Sequence, residues 1–475
     1  MFVDFKRQVL SLSGIFLVVI FVIFSQLNRI LPKSTNVLCS DCNVIVVAYD
    51  ALQATHVSHI GYHRKTTPMM DSIASQGVAF SNAVTVAPWT IPSYMSIFTG
   101  LYPSQHKLVN KWVDYSETQK VPANLSSISP KIQTLAEILK LNGYVTAGFT
   151  GNSGVSGSFG YNKGFDIYKD QRQFGSIGGY ADEALNWLEA NKENKFFLFI
   201  QGYDAHGQFH TPENYVGKFN DPGYDGRYKG TWQEQALLRD ELLYEKKNIN
   251  LRPEDIQFWR NWYDSKISDG DAKFAEFWEQ FSKIPTKNKT IIIMLSDHGT
   301  EFYEHKRFDH GFSLYDELVR VPLVFKVPGV QGGRVIDQQV RTIDISPTLI
   351  ELLGIDPGKQ YSSQLEGKSL VNVINGGNIE GRDAFLETDF LRFTYKRGIR
   401  TADGWKYIRT MESGEEELYN IKLDPSESLN LVNDDKAKTE ELRFKVMSHI
   451  KDIGGNVDGP WTLGCFPVYA EQCKQ

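Results

Sequence analysis

The chain has 475 residues, with 51 basic against 57 acidic side chains and a net charge of −6. Its 41% hydrophobic and 13% aromatic content supplies a sizeable core, which excludes a disordered, collagenous or small disulfide-scaffold protein. A mildly acidic balance without a long Lys/Arg block excludes a dedicated nucleic-acid binder, so no nucleic-acid partner is expected.

The first element is apolar. No charge falls between Arg7 and Arg29, and the centre of that run reads GIFLVVIFVIF. As a helix, Gln8 to Asn28 is long enough to span a hydrocarbon core. The exit, FSQLNRILPKS, is a poor small-residue cleavage site, which favours a retained anchor over a cleaved signal. The expectation is therefore a membrane partner through the N-terminal helix, with the body of the chain outside the cytoplasm, periplasmic or extracellular. Four cysteines, Cys39, Cys42, Cys465 and Cys473, allow three pairings. Local bridges and an N-to-C staple are both open, ahead of a four-cysteine zinc site.

From Asn43 onward, apolar runs alternate with amphipathic stretches, the pattern of an α/β fold. Buried strands are expected at NVIVVAYD (Asn43 to Asp50), YVTAGFT (Tyr144 to Thr150), FFLFIQG (Phe196 to Gly202) and TIIIMLSD (Thr290 to Asp297). Helices are expected at TTPMMDSIASQG, PSYMSIFTG and TIDISPTLIELLG. The charged, Trp/Tyr-rich segment from about Tyr224 to Ile284 reads as surface helices, and beyond about Asn375 short strands precede a polar helix near Lys436 to Ile450. The expected organisation is an anchor or signal over residues 1–33, a large domain over 34–375 and a small C-terminal subdomain over 376–475.

Three strands deliver polar groups at or just past their C-terminal ends: Asp50, Asp204 with His206, and Asp297 with His298. In an open parallel sheet that edge is where ligands bind. A single Asp at a strand end often only caps the next helix, but three such ends, two with a histidine, form a constellation. Mixed carboxylate and imidazole donors suit a divalent metal such as zinc or manganese better than calcium.

These residues sit in blocks that resemble a known family. NVIVVAYDALQATHVSHIGYHRKTTPMMDSIASQGVAFSNA is similar to the opening block of the sulfatase branch of the alkaline phosphatase superfamily. SDHGTEFYEHKRFDHGFSLYDELVRVPLVFKVPG resembles its second metal block, and DISPTLIELLGI and WKYI…EELYNIKLDPSESLNL follow in the family's order. The resemblance implies a large, mostly parallel sheet sandwiched by helices, with a small C-terminal α+β subdomain. It implies metal ligation by Asp50, Asp297 and His298, a nucleophile at Thr90 in APWTIPSYM, and substrate- or second-metal-facing roles for His206 and His310. An isolated Thr at a helix start is otherwise more often an N-cap.

The departures from the family are specific. Where family sulfatases carry C-x-P-S-R or S-x-P-S-R, this chain has Thr90, Ile91, Pro92, Ser93 and Tyr94. Those enzymes oxidise their Cys or Ser to formylglycine, and the β-methyl of threonine bars that aldehyde. The family's G-K-W-H-type sulfate-binding stretch is replaced by GFTGNSGVSGSFG, and the metal pair Asp-Asn by Asp297-His298. The pattern resembles the phosphotransfer branch: phosphodiesterases, lipoteichoic acid synthase-like enzymes and phosphoethanolamine transferases. The expected activity is a metal-dependent hydrolase or transferase acting on a phosphate ester or diester through a Thr90 covalent intermediate. The alternatives are a sulfuric ester hydrolase without formylglycine and a catalytically silent glycan- or lipid-binding member. The expected substrate is a phosphorylated or sulfated small molecule, lipid or glycan.

Overall fold

The computed structural model describes residues 39–116, 121–209, 211, 214–243, 247–459 and 461. Its centre is a nine-stranded sheet. Across the sheet the strands run Arg334–Ile336, Val78–Val84, Arg320–Lys326, Thr290–Ser296, Asn43–Tyr49, Phe196–Gly202, Val145–Phe149 and Ile167–Lys169, with Val340–Arg341 also paired to Val78–Val84. Only Arg320–Lys326 pairs antiparallel to its neighbours, so the sheet is mostly parallel, as expected.

The central strands are apolar end to end because both faces are covered. Side chains alternate across the sheet. Val44, Val46 and Ala48 join one core with Ile91, Tyr94, Phe98 and Phe199, while Ile45, Val47 and Tyr49 join the other with Ile73, Leu198, Trp259 and Met294.

The segment expected as surface helices is different in kind. It holds a helix at Trp232–Leu243 and a 29-residue helix, Pro253–Phe281, that closes the second core. Trp259, Trp262, Tyr263, Ile267, Phe274 and Phe277 recur at helical spacing along its buried face, and most of its charges lie on the other. Two acids on that buried face are used structurally. Asp271 accepts from Met69 N and Met70 N at 2.6 and 3.0 Å, satisfying the free N–H groups at the start of the Pro68–Ser75 helix. Asp264 joins His56, Tyr62 and Arg64.

The small antiparallel sheet Ala384–Thr388, Lys396–Arg400, Trp405–Thr410 and Glu416–Asn420 forms the C-terminal part. The Lys436–Asp452 helix packs Leu442, Val446 and Ile450 against Ile399, Tyr407 and Leu418. Cys39 and Cys42 form a local disulfide, whereas Cys465 and Cys473 lie outside the described residues.

The expectation of a membrane-anchored protein is corrected. Among the described residues no helix is long and apolar enough to cross a membrane. The run from Gln8 to Asn28, on which that expectation rested, lies outside them.

Candidate active site

Strand register builds the site. Tyr49 pairs with both Ser296 and Gly202, so the next residue on each strand reaches the same edge of the sheet: Asp50, Asp297 and Tyr203. Past Asp50 the chain turns through Ala51 in the left-handed region (φ 58°). Tyr263, from the long helix, clamps this turn by donating to Ala51 O at 2.6 Å and accepting from Gln53 N at 2.8 Å.

Asp50, Asp297 and His298 are fully buried. Asp50 Oδ2 accepts from Gln201 Nε2 at 3.4 Å and Asp297 Oδ1 from Ala51 N at 3.3 Å. The other oxygen of each, Asp50 Oδ1 and Asp297 Oδ2, has no hydrogen-bond partner. His298 donates from Nδ1 to Gly299 O at 2.7 Å, which leaves Nε2 as the bare nitrogen. Nε2 lies 3.4 Å from Asp297 Oδ2 and 3.7 Å from Asp50 Oδ1. Ligand atoms of the three residues all fall within 4.8 Å of one another. Two orphaned carboxylate oxygens and a bare imidazole nitrogen converging in a buried pocket fit a divalent cation, since burying such oxygens unpaired is costly. Burial and then the facing Asp297 push the Asp50 carboxyl well above its ordinary range. Burial pushes Asp297 up in the same way. Burial, then His310, pushes His298 well down, so its imidazole is neutral and competent as a ligand.

Thr90 opens the Thr90–Thr99 helix, and Trp89, not Thr90, is its N-cap, with no side-chain cap bond. The capping role is therefore not the one Thr90 plays. Its Oγ1 instead lies 3.3 Å from His298 Nε2. Ser93 fixes the helix to the sheet edge by donating to Asp297 O at 2.7 Å. Pro92 has no N–H, so Thr90 and Ile91 are the donors at the mouth of this helix. Against the Thr90 methyl lies the glycine-rich turn that replaces the family's sulfate-binding stretch. A Cβ on Gly154 would fall 2.6 Å from Thr90 Cγ2, so only glycine lets that backbone approach. Tyr203 holds the turn, accepting from Gly154 N at 2.9 Å and donating to Asn152 O at 3.0 Å.

His206 and His310 both reach the same cavity as Thr90, a space of about 200 Å³. Their ring centroids are 4.8 Å apart, and His310 lies 4.3 Å from His298. His206 Nδ1 accepts from Gln208 N at 3.1 Å, turning Nε2 toward Asp50 Oδ1 at 3.9 Å. Burial, then His310, pushes His206 well down. Asp204, grouped with His206 in the sequence, is turned away. It accepts from Ser176 Oγ and Ile177 N, each at 2.6 Å, and pairs with Lys273 at 3.3 Å, a structural anchor beneath the site.

Three residues of the site were not singled out by the sequence. Asp309 adopts a left-handed conformation (φ 82°) and pairs with Nδ1 of its neighbour His310. Against the penalty of burial, His310 and Arg239 hold its carboxyl well below the usual range. Arg239 arrives from the Trp232–Leu243 helix and bonds Asp309 Oδ2 at 3.3 Å. Lys111 lines the same cavity. Asp309 carried a signal, an acid beside a histidine in FDHG. Lys111 and Arg239 carried none.

The sheet, the carboxylates at its C-terminal edge and the helix that starts beside them define an alkaline phosphatase-like α/β architecture. The sulfatase family model matches residues 42–355, and the model for the C-terminal part of N-sulphoglucosamine sulphohydrolase matches residues 303–453. The chain belongs to the sulfatase family, a family of hydrolases. It is similar to a sulfatase of Formosa agariphila, 25% identical over 90% of each chain. It is also similar to a Δ4,5-hexuronate-2-O-sulfatase of Bacteroides thetaiotaomicron, 23% identical over 83% of this chain and 85% of that protein. Among solved structures, the phosphonate monoester hydrolase of Agrobacterium radiobacter shares the fold with a TM-score of 0.67, at 19% identity, over 87% of this chain and 96% of that one.

Proposed function

We propose that the protein hydrolyses a sulfate ester of a sulfated glycan at a site centred on Thr90, without formylglycine. The observation that carries this reading is Thr90 Oγ1 at 3.3 Å from His298 Nε2, beside two carboxylate oxygens that have no other partner. Family membership and the sulfatase names of the two relatives favour a sulfate ester over the phosphate ester expected from the sequence.

Asp50, Asp297 and His298 would hold a divalent cation, with zinc or manganese suited to the two oxygens and one nitrogen. When bound, such a cation lowers the pKa of the Thr90 hydroxyl and neutralises charge on the transferring group. Thr90 Oγ1 gives its proton to the neutral imidazole of His206 in the same cavity and attacks sulfur in line as the bond from sulfur to the sugar oxygen breaks. His310, steadied by Asp309, gives a proton to the departing sugar oxygen, with His206 beside it. Water then attacks the threonine sulfate, releasing hydrogen sulfate and restoring the hydroxyl.

A second reading is hydrolysis or transfer of a phosphate or phosphonate ester by the same residues. Thr90, which cannot become an aldehyde, favours it. A panel of aryl sulfate, phosphate monoester, phosphate diester and phosphonate monoester separates the two. The leading reading expects the sulfate to give the highest kcat/KM, with Thr90→Ala abolishing it. Phosphate or phosphonate turnover far above sulfate would overturn it.

A further inference from the structure

One buried polar side chain beside the metal-competent residues has no part in the chemistry above. Gln201 is the polar residue of the otherwise apolar strand Phe196–Gly202, and it is 1% exposed. Phe197, Phe199 and Gln201 follow one another on one face, the first two in the core that holds Ile91, Tyr94 and Phe98. In register Gln201 lies opposite Ala48, and Asp50 is the next residue on that face of the neighbouring strand. Burying a carboxamide there is costly unless both of its ends are satisfied.

Both ends are satisfied, by groups of different kinds. Gln201 Oε1 accepts from Gly151 N at 3.0 Å, and Nε2 donates to Asp50 Oδ2 at 3.4 Å. A backbone N–H is met only by the carbonyl end, so the first bond fixes which way the carboxamide faces. Its amide is then committed to Asp50. Oδ2 of that carboxylate is tied to the sheet, while Oδ1 has no hydrogen-bond partner and lies 3.7 Å from His298 Nε2.

The other bond holds the glycine-rich turn. A Cβ on Gly151 would fall 2.5 Å from Tyr203 Cδ2 and 2.6 Å from Gly175 O, and Asn152 and Ser153 both have positive φ (64° and 49°). Such backbone persists only where its surroundings pin it, here Gln201 on Gly151 and Tyr203 on Gly154. Gly154 is the residue that packs on the Thr90 methyl.

We propose that Gln201 is a positioning residue, which holds Asp50 so that Oδ1 alone is offered to a cation and registers the turn against Thr90 with the same carboxamide. This rests on the metal-binding part of the reading above and adds a residue to it. Gln201 does not line the Thr90 cavity, so it acts through Asp50 and the turn.

The test reads the metal, not turnover. The full chain is stripped of metal and titrated with zinc against a chelator. It is titrated separately with cobalt, whose visible bands weaken as its coordination number rises. Gln201→Met keeps the length of the side chain and loses both hydrogen bonds. Gln201→Glu keeps an acceptor for Gly151 N and loses the amide donor. Zinc affinity in Gln201→Met should fall by about tenfold to a hundredfold, and its cobalt bands should weaken as Oδ2 is freed to bind beside Oδ1. Gln201→Glu should also lose the wild-type cobalt spectrum, and it carries the test alone if Gln201→Met does not fold. A wild-type cobalt spectrum in Gln201→Glu would reduce Gln201 to a prop for the turn and overturn the proposal. Unchanged zinc affinity in Gln201→Met would overturn it too. Those outcomes strike this inference alone, whereas wild-type protein that binds neither zinc nor cobalt would strike the metal of the parent reading and this inference with it.

Discussion

Two clusters in this molecule bring a histidine and two carboxylates within 4.8 Å of one another: Asp50, Asp297 and His298, and, a few residues further along, Glu301, His305 and Glu317. Composition and spacing make them alike, but their hydrogen bonds do not. In the first, one oxygen of each carboxylate is unpartnered, and the imidazole Nε2 meets the Thr90 hydroxyl at 3.3 Å. In the second, Glu301 Oε2 is also unpartnered, but both nitrogens of His305 are engaged, Nδ1 with Glu317 Oε1 at 2.6 Å and Nε2 with Glu427 O at 3.2 Å. Burial opposes protonation of His305, but Glu317 outweighs it and raises the pKa to about 9. Lys406, with Glu427 and Asp316, and Arg400, with Asp316, supply cations nearby. The first cluster lacks a cation and the second contains its own. Ligand-like spacing is common to both; what separates them is the protonated imidazole already seated in the second.

Asp297→Ala breaks the contrast most severely. Metal content and turnover should vanish together, read by elemental analysis and an aryl sulfate assay on one sample. Full metal retention would mean that Asp50 and His298 suffice. Asp309→Asn should come next. His310 loses the carboxylate that steadies its proton, and kcat for a sugar sulfate should fall about a hundredfold. An aryl sulfate, whose leaving oxygen needs less help, should lose far less. Equal losses on both esters would place Asp309 in the fold and not in proton transfer.

Glu317→Gln probes the second cluster. It should cost about 1–3 kcal/mol of stability in denaturant unfolding by stripping His305 of its ion pair. Metal stoichiometry should be unchanged, and loss of one equivalent would show that the second cluster is a metal site after all. The smallest effect is the pH dependence. His305 has a folded-state pKa above its unfolded value, so its contribution is complete below about 6.5 and lost as pH rises through about 9. Glu301, pushed up to about 8 by burial and then Glu317, acts in the same direction between about 4.5 and 8. Wild-type protein should therefore lose stability toward alkaline pH more steeply than Glu317→Gln, and parallel curves would remove the cluster as the cause.

Much of the active-site frame was legible because buried parallel strands are continuous apolar runs, and a carboxylate at their end is conspicuous. Register then did the rest, since Tyr49 opposite Ser296 brings Asp50 beside Asp297. Thr90 was legible from its motif, though not from helix rules, which assign it a cap that Trp89 holds. The long helix was misread because its aromatic stripe is diluted by charges on the opposite face, which lowers its apparent hydrophobicity without exposing it. Asp204 misled for the opposite reason, as an acid at a strand end that serves a neighbouring turn. Lys111 and Arg239 were silent. Their meaning depends on a cavity assembled from segments more than a hundred residues apart, which no local pattern encodes.

The central claim is that Thr90 supplies the attacking oxygen while its neighbours hold the metal. It is tested most directly by measuring aryl sulfate turnover and bound metal together in Thr90→Ala. The account predicts full metal occupancy, near wild-type folding and turnover reduced by several orders of magnitude, because only positioning and charge remain. Near wild-type turnover in that variant would contradict it and assign the attack to water.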